Sequence, residues 1–223
     1  MQDISQVSQS HLGSYEVSKV LRNTYALLAM TLMFSAVMAG VSMATNVGHG
    51  VSMACSFGAL ALIWFVLPRT ANTSKGIWVV FAFTGLLGFG LGPILSSYIA
   101  FLDNGSAIIM QALGGTALIF FGLSGYALVS RKDFSFMTGF LMTGLLVAFI
   151  AGIANIFFQI QGLQLAVSAM FLLLSSGMIL WQTSRIVHGG ETNYILATAS
   201  LYVSLYNVFL SLLQLLGVMG GDD

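Results

Sequence analysis

Every Lys and Arg in the chain falls on one side of a seven-part hydrophobic pattern. Apolar stretches run over about 24–46, 51–68, 77–101, 107–129, 136–158, 163–181 and 194–218. Lys19 and Arg22 precede the first stretch, Arg69 and Lys75 lie in the second gap, Arg131 and Lys132 in the fourth, and Arg185 in the sixth. The first, third and fifth gaps hold no Lys or Arg. Basic side chains are retained on the cytoplasmic side of a membrane, and short loops obey that bias best. The pattern predicts an all-α integral membrane protein of seven transmembrane helices. Its N-terminus lies in the cytoplasm and, after an odd number of crossings, its C-terminus lies outside.

Composition agrees. Hydrophobic residues make up 57% of the chain and charged ones 6%, too few charges for a water-exposed surface. A bilayer core of about 30 Å needs roughly 17–25 apolar residues per helix, a length that 51–68 meets only just. The runs are continuous, which excludes a transmembrane barrel, whose strands alternate. A formal net charge of zero points to no nucleic-acid partner. Cys55 is the sole cysteine and cannot form an intrachain disulfide. Residues 1–22 are polar and lack the apolar core of a signal peptide, so they are expected to form a flexible cytoplasmic tail. Residues 23–223 then form one membrane domain, ending in a short outer tail at Gly220–Asp223. Pro68 is expected to close span 2, and Trp64, Trp78 and Trp181 to form an aromatic belt at the cytoplasmic boundary.

Two features inside the spans are candidates for function. In span 3, Gly85, Gly88 and Gly92 precede Pro93. Such a run either weakens the helix into a hinge, whose freed backbone groups need other partners, or forms a face on which a second helix packs closely. Gly144, Ala148 and Gly152 repeat that spacing in span 5, where packing alone accounts for them. In span 7, Ala197, Ser200, Ser204, Asn207, Ser211 and Gln214 recur every three or four residues and share one helical face. An unpaired polar group in hydrocarbon is costly, so this stripe should face the bundle interior. It serves either interhelical hydrogen bonds, worth about 0.6 kcal/mol each, or the lining of a hydrated cavity. Other polar residues read at depth are Gln111, Thr116, Asn155, Gln159 and Gln182.

Enzymatic and metal chemistry find little footing. Gly122-Leu123-Ser124-Gly125 matches the GxSG of intramembrane serine proteases, but a serine nucleophile needs a base, and His11, His49 and His188 all lie outside the spans. His188-Gly189-Gly190-Glu191 brings two potential ligands together across a helix-breaking pair, without a supporting cluster. No metal or cofactor is expected. No Asp, Glu, Lys or Arg lies deep in a span, which argues against a charge-driven transporter.

Particular segments resemble the Bax inhibitor-1 family: LRNTYALL at 21–28, TGLLGFGLGPIL at 84–95 and SLYVSLYNVFLSLLQLLG at 200–217. ALGGTALIFF at 112–121, SRKDFSFM at 130–137 and HGGETNYI at 188–195 resemble its bacterial YccA branch, the modulators of the FtsH protease. The resemblance covers nearly everything after the tail. It implies a bundle with the last helix central, and an inner-membrane location. The implied role is binding and restraint of FtsH, a membrane-anchored ATP-dependent zinc protease, of which the chain is implied also to be a substrate. The wider family implies an alternative, a calcium or ion leak built on an aspartate pair in spans 6 and 7. Here the aligned segments read Trp181-Gln182-Thr183 and Leu201-Tyr202-Val203-Ser204, so the acidic positions correspond to Gln182 and Ser204. Neither titrates near neutral pH or supplies an anionic oxygen. A Gln182–Ser204 hydrogen bond is the contact to look for in their place.

Overall fold

Inside lipid a backbone must satisfy its own polar groups, so continuous apolar runs can only become helices. The computed structural model of the chain describes residues 2–220, with side chains from Glu16 onward. It contains seven helices long and apolar enough to cross a membrane. They are α1 (Gln2–Ala44), α2 (His49–Thr70), α3 (Lys75–Phe101), α4 (Gly105–Ser130), α5 (Thr138–Phe158), α6 (Gln161–Val187) and α7 (Tyr194–Met219). No strand occurs among the described residues.

Helix α7 runs through the centre, against α1, α3, α4 and α6. No residue from Tyr194 to Gly217 is exposed. Helix α2 packs outside α3, and α5 outside α6. Four helices thus flank α7 directly, in agreement with the central last helix that the resemblance implied. The main core joins Leu201, Tyr202, Leu205 and Val208 of α7 to Leu28, Val80, Phe83 and Ile179.

Small residues set the closest approach. A Cβ at Gly85 would lie 2.6 Å from the Phe34 ring, one at Gly88 would overlap the Ser35 backbone, and one at Gly92 would overlap the Ser42 side chain. All three face α1, and α3 continues unbroken past Pro93 to Phe101. Gly144 meets Leu174 in the same way, seating α5 on α6. Without a hydrophobic force between helices in lipid, such close backbone contact carries much of the association.

Several boundaries differ from expectation, each for a local reason. Residues 2–22, expected to form a flexible tail, are helical and continuous with the rest of α1, and Val20 is buried against Ile186 and Ala197. Residues 1–15, and residues 221–223 of the outer tail, lie outside the residues whose side chains are described. Pro68 does not close α2. A wide π-turn at Leu62–Val66 precedes it, and such a turn gives a proline ring room that a regular helix denies. Helix α6 extends to Val187, two turns beyond the apolar stretch, and its polar last turns tie down the flanking loops: Ser184 donates to Lys132 O and Arg185 to Gly190 O. Gln159 is not deep: it caps α5 with φ of 51° and is exposed, while the Asn155 side chain accepts from the Ile160 N–H. Trp64 and Trp78 are exposed near the basic loops, but Trp181 is 6% exposed. Its indole N–H donates to Thr138 Oγ1 at 2.8 Å, and the Arg185 guanidinium lies 4.7 Å from its ring centre.

Candidate functional site

Helix α7 starts from a fixed point. The Asn193 carboxamide oxygen accepts from the N–H groups of Ile195 and Leu196, capping the helix. Its amide nitrogen donates to Ala71 O and Asn72 Oδ1, which ties the α2–α3 loop to the same spot.

From there the polar stripe descends into the bundle. Ser204 and Ser211 are buried, and Ser200, Asn207 and Gln214 are half-buried. The Gln214 carboxamide oxygen accepts from Ser168 Oγ on α6. That rung sets the register of two antiparallel helices. One seven-residue step along each brings Ser175 to the level of Asn207, and a second brings Gln182 to the level of Ser200. Ser168, Ser175 and Gln182 are all buried and share one face of α6. The stripe on α7 therefore faces a second polar column, which periodicity in α6 alone is too sparse to reveal.

This seam is only partly satisfied. The Gln182–Ser204 bond does not form. Ser204 donates instead to its own helix at Ser200 O, 2.9 Å away, and Gln182 Nε2 has no hydrogen-bond partner among the described residues although Gln182 is only 2% exposed. Ser175 Oγ is likewise buried and unpaired. The register explains the miss, because it sets Gln182 one turn away from Ser204. Each such orphan costs about 1–3 kcal/mol.

The strongest ties of α7 come from residues the periodicity argument passed over. Tyr202, 1% exposed, shares a 2.6 Å hydrogen bond with Ser35 Oγ of α1 and donates to Thr84 O of α3 at 3.2 Å. Its ring meets Phe83 edge-on at 5.7 Å. Thr198 donates to Thr24 O on α1. A tyrosine deep in a transmembrane helix must find a partner for its hydroxyl, and that was the available signal.

The chemistry of this interior is neutral. Ser124 pairs with Thr183 Oγ1 at 3.3 Å, and Tyr25 OH reaches the same Thr183 oxygen at 3.5 Å. A serine bonded to a threonine has no base to activate it. No group of three His, Cys, Asp or Glu that could hold a metal occurs among the described residues. Ionisable groups gather instead at the basic end. His188 lies 3.0 Å from Arg131 O and 2.9 Å from Ser184 O, and Ser184 Oγ donates to Lys132 O. Hydrogen bonds from the Ser135 side chain and backbone hold the Asp133 carboxyl below its ordinary range, with a smaller contribution from His188. Its hold on the α4–α5 turn is thus present at neutral pH and is lost as pH falls through the lowered value.

A seven-helix bundle with a buried, carboxylate-free last helix narrows the comparison with known proteins. The family described as "Inhibitor of apoptosis-promoting Bax1" matches residues 17–221. The chain belongs to this family. Within the Bax1-inhibitor family, it is 52% identical to the Escherichia coli K12 protein named "Modulator of FtsH protease YccA", over 97% of this chain and 98% of that one. The same identity and coverage hold for a second E. coli relative named "Inner membrane protein YccA". A Vibrio cholerae membrane protein is 47% identical over 93% of each chain. Family and fold agree with the expectations drawn from the LRNTYALL, TGLLGFGLGPIL and α7 segments.

Proposed function

We propose that the chain is a non-enzymatic bacterial inner-membrane protein that binds the FtsH protease, restrains its action on other membrane proteins and is itself one of its substrates. The observation that carries this reading is the 52% identity to the E. coli FtsH modulator over nearly the whole of both chains. The clustering of Lys and Arg in alternate gaps supports an N-terminus in the cytoplasm and a C-terminus in the periplasm. Loops of a few residues leave no soluble domain between helices, so recognition falls to the membrane faces and the N-terminal segment.

The packing supplies a physical route to restraint. A protease pulling from the N-terminus must extract α1 first. Helix α1 is held by the Gly85–Gly88–Gly92 contact with α3, by Ser35–Tyr202 and by Thr198 on Thr24 O. Residues 1–15 offer a grip, and the bundle behind them resists. An engaged protease is thereby occupied. The leak alternative draws no support from the seam, whose Gln182 and Ser204 are neutral and unpaired with each other.

Photo-crosslinking residues placed singly at exposed positions of each helix, in cells containing FtsH, test the contact. Capture of FtsH from a restricted set of faces is expected. Absence of an FtsH adduct from every face contradicts the reading.

A further inference from the structure

Helices α1 and α2 both lean on α3, and an apolar cleft of about 990 Å³ opens between them. Phe34 and Met38 of α1 form one wall and Cys55 of α2 the other. The floor is α3, from Trp78 through Ala82 to Phe89. Those eleven residue steps span about 16 Å of helix, close to one leaflet of a bilayer core about 30 Å thick.

The cleft is open to lipid, yet one end is charged. Trp78, 77% exposed, marks the boundary with the basic loops. Lys75 lies one helical turn before it on α3, and Arg69 closes α2 on the other side of the same hairpin. Both are exposed, and neither has an ion-pair partner among the described residues. No Asp or Glu occurs between Glu16 and Asp103, and Glu191, brought near the α2–α3 loop by Asn193, is paired with Arg185 at 3.9 Å. An apolar slot one leaflet long with two exposed cations beyond its Trp78 end, one Arg69 N–H already donated to Phe65 O at 2.6 Å, has a definite complement. The geometry points to a bound anionic phospholipid, its acyl chains in the cleft and its headgroup phosphate against Lys75 and Arg69. Basic pockets between transmembrane helices bind anionic headgroups on these grounds.

The inference needs only the fold and stands apart from the FtsH reading, so its test uses the purified chain alone. Native mass spectrometry follows release from nanodiscs of equal phosphatidylglycerol and phosphatidylethanolamine. One phosphatidylglycerol should be retained in preference. Lys75→Gln and Arg69→Gln should each weaken that retention by about fivefold. Lys132→Gln, at the distant α4–α5 loop, should leave it unchanged. Ala82→Phe, which fills the floor, should remove retained lipid of either type. Equal retention of both lipids, or equal loss in Lys132→Gln, would overturn the assignment. So would a photo-crosslinker at Ala82 that captures a protein segment in cells rather than lipid.

Discussion

Replacing Gly88 with valine should unseat α1 from α3 and destabilise the bundle by about 3 kcal/mol or more. The new side chain would meet the Ser35 backbone rather than a flexible side-chain end, so relief requires moving a whole helix. That movement would also separate Ser35 from Tyr202 OH, removing a tie between α1 and the central helix. Gly40→Ala is the matched control. It lies on α1, where a Cβ meets nothing within 4 Å, and should change little. Thermal unfolding in one detergent, with both variants compared to the parent chain, reads the difference. If the two melt alike, the glycine face does not set the α1–α3 approach.

Removing residues 2–14 should lengthen the protein's lifetime severalfold in cells containing FtsH. The deletion spares Val20, whose burial against Ile186 and Ala197 anchors the N-terminal part of α1. An ATP-driven protease needs a polar handle, and among the terminal segments this one is the longest free of apolar runs. Pulse-chase turnover in matched strains measures it. In cells lacking FtsH the full and shortened chains should decay alike. Equal turnover of the two in FtsH-containing cells would place the grip elsewhere.

The number of helices and the interior position of α7 were legible because both follow from what lipid forbids. An uninterrupted apolar run has no alternative to a helix, and a stripe of Ser, Asn and Gln has no stable place against acyl chains. The glycine face was legible as a choice between hinge and packing. Geometry supplied what spacing could not, namely that α1 fills it. What stayed hidden depends on register between helices. Gln182 and Ser204 were matched by resemblance to an acidic pair, but the Ser168–Gln214 rung sets their levels a turn apart. Tyr202 was hidden because it lies off the face shared by the Ser, Asn and Gln of span 7, and its partners Ser35 and Thr84 come from other helices. Trp181 resembled its two counterparts in position, yet Thr138 on a neighbouring helix turns its indole inward. Pro68 read as a stop because a local rule has no view of the π-turn that accommodates it.

Restraint of the protease is the claim on which the functional account stands, and a reconstituted system measures it directly. FtsH is placed in liposomes with a membrane-protein substrate and ATP, with this chain added at rising molar ratio, and loss of the substrate is followed over time. The account predicts a severalfold slower loss that saturates as the added chain occupies the protease, and a weaker effect from the chain lacking residues 2–14. Substrate loss at an unchanged rate across the whole range would contradict it.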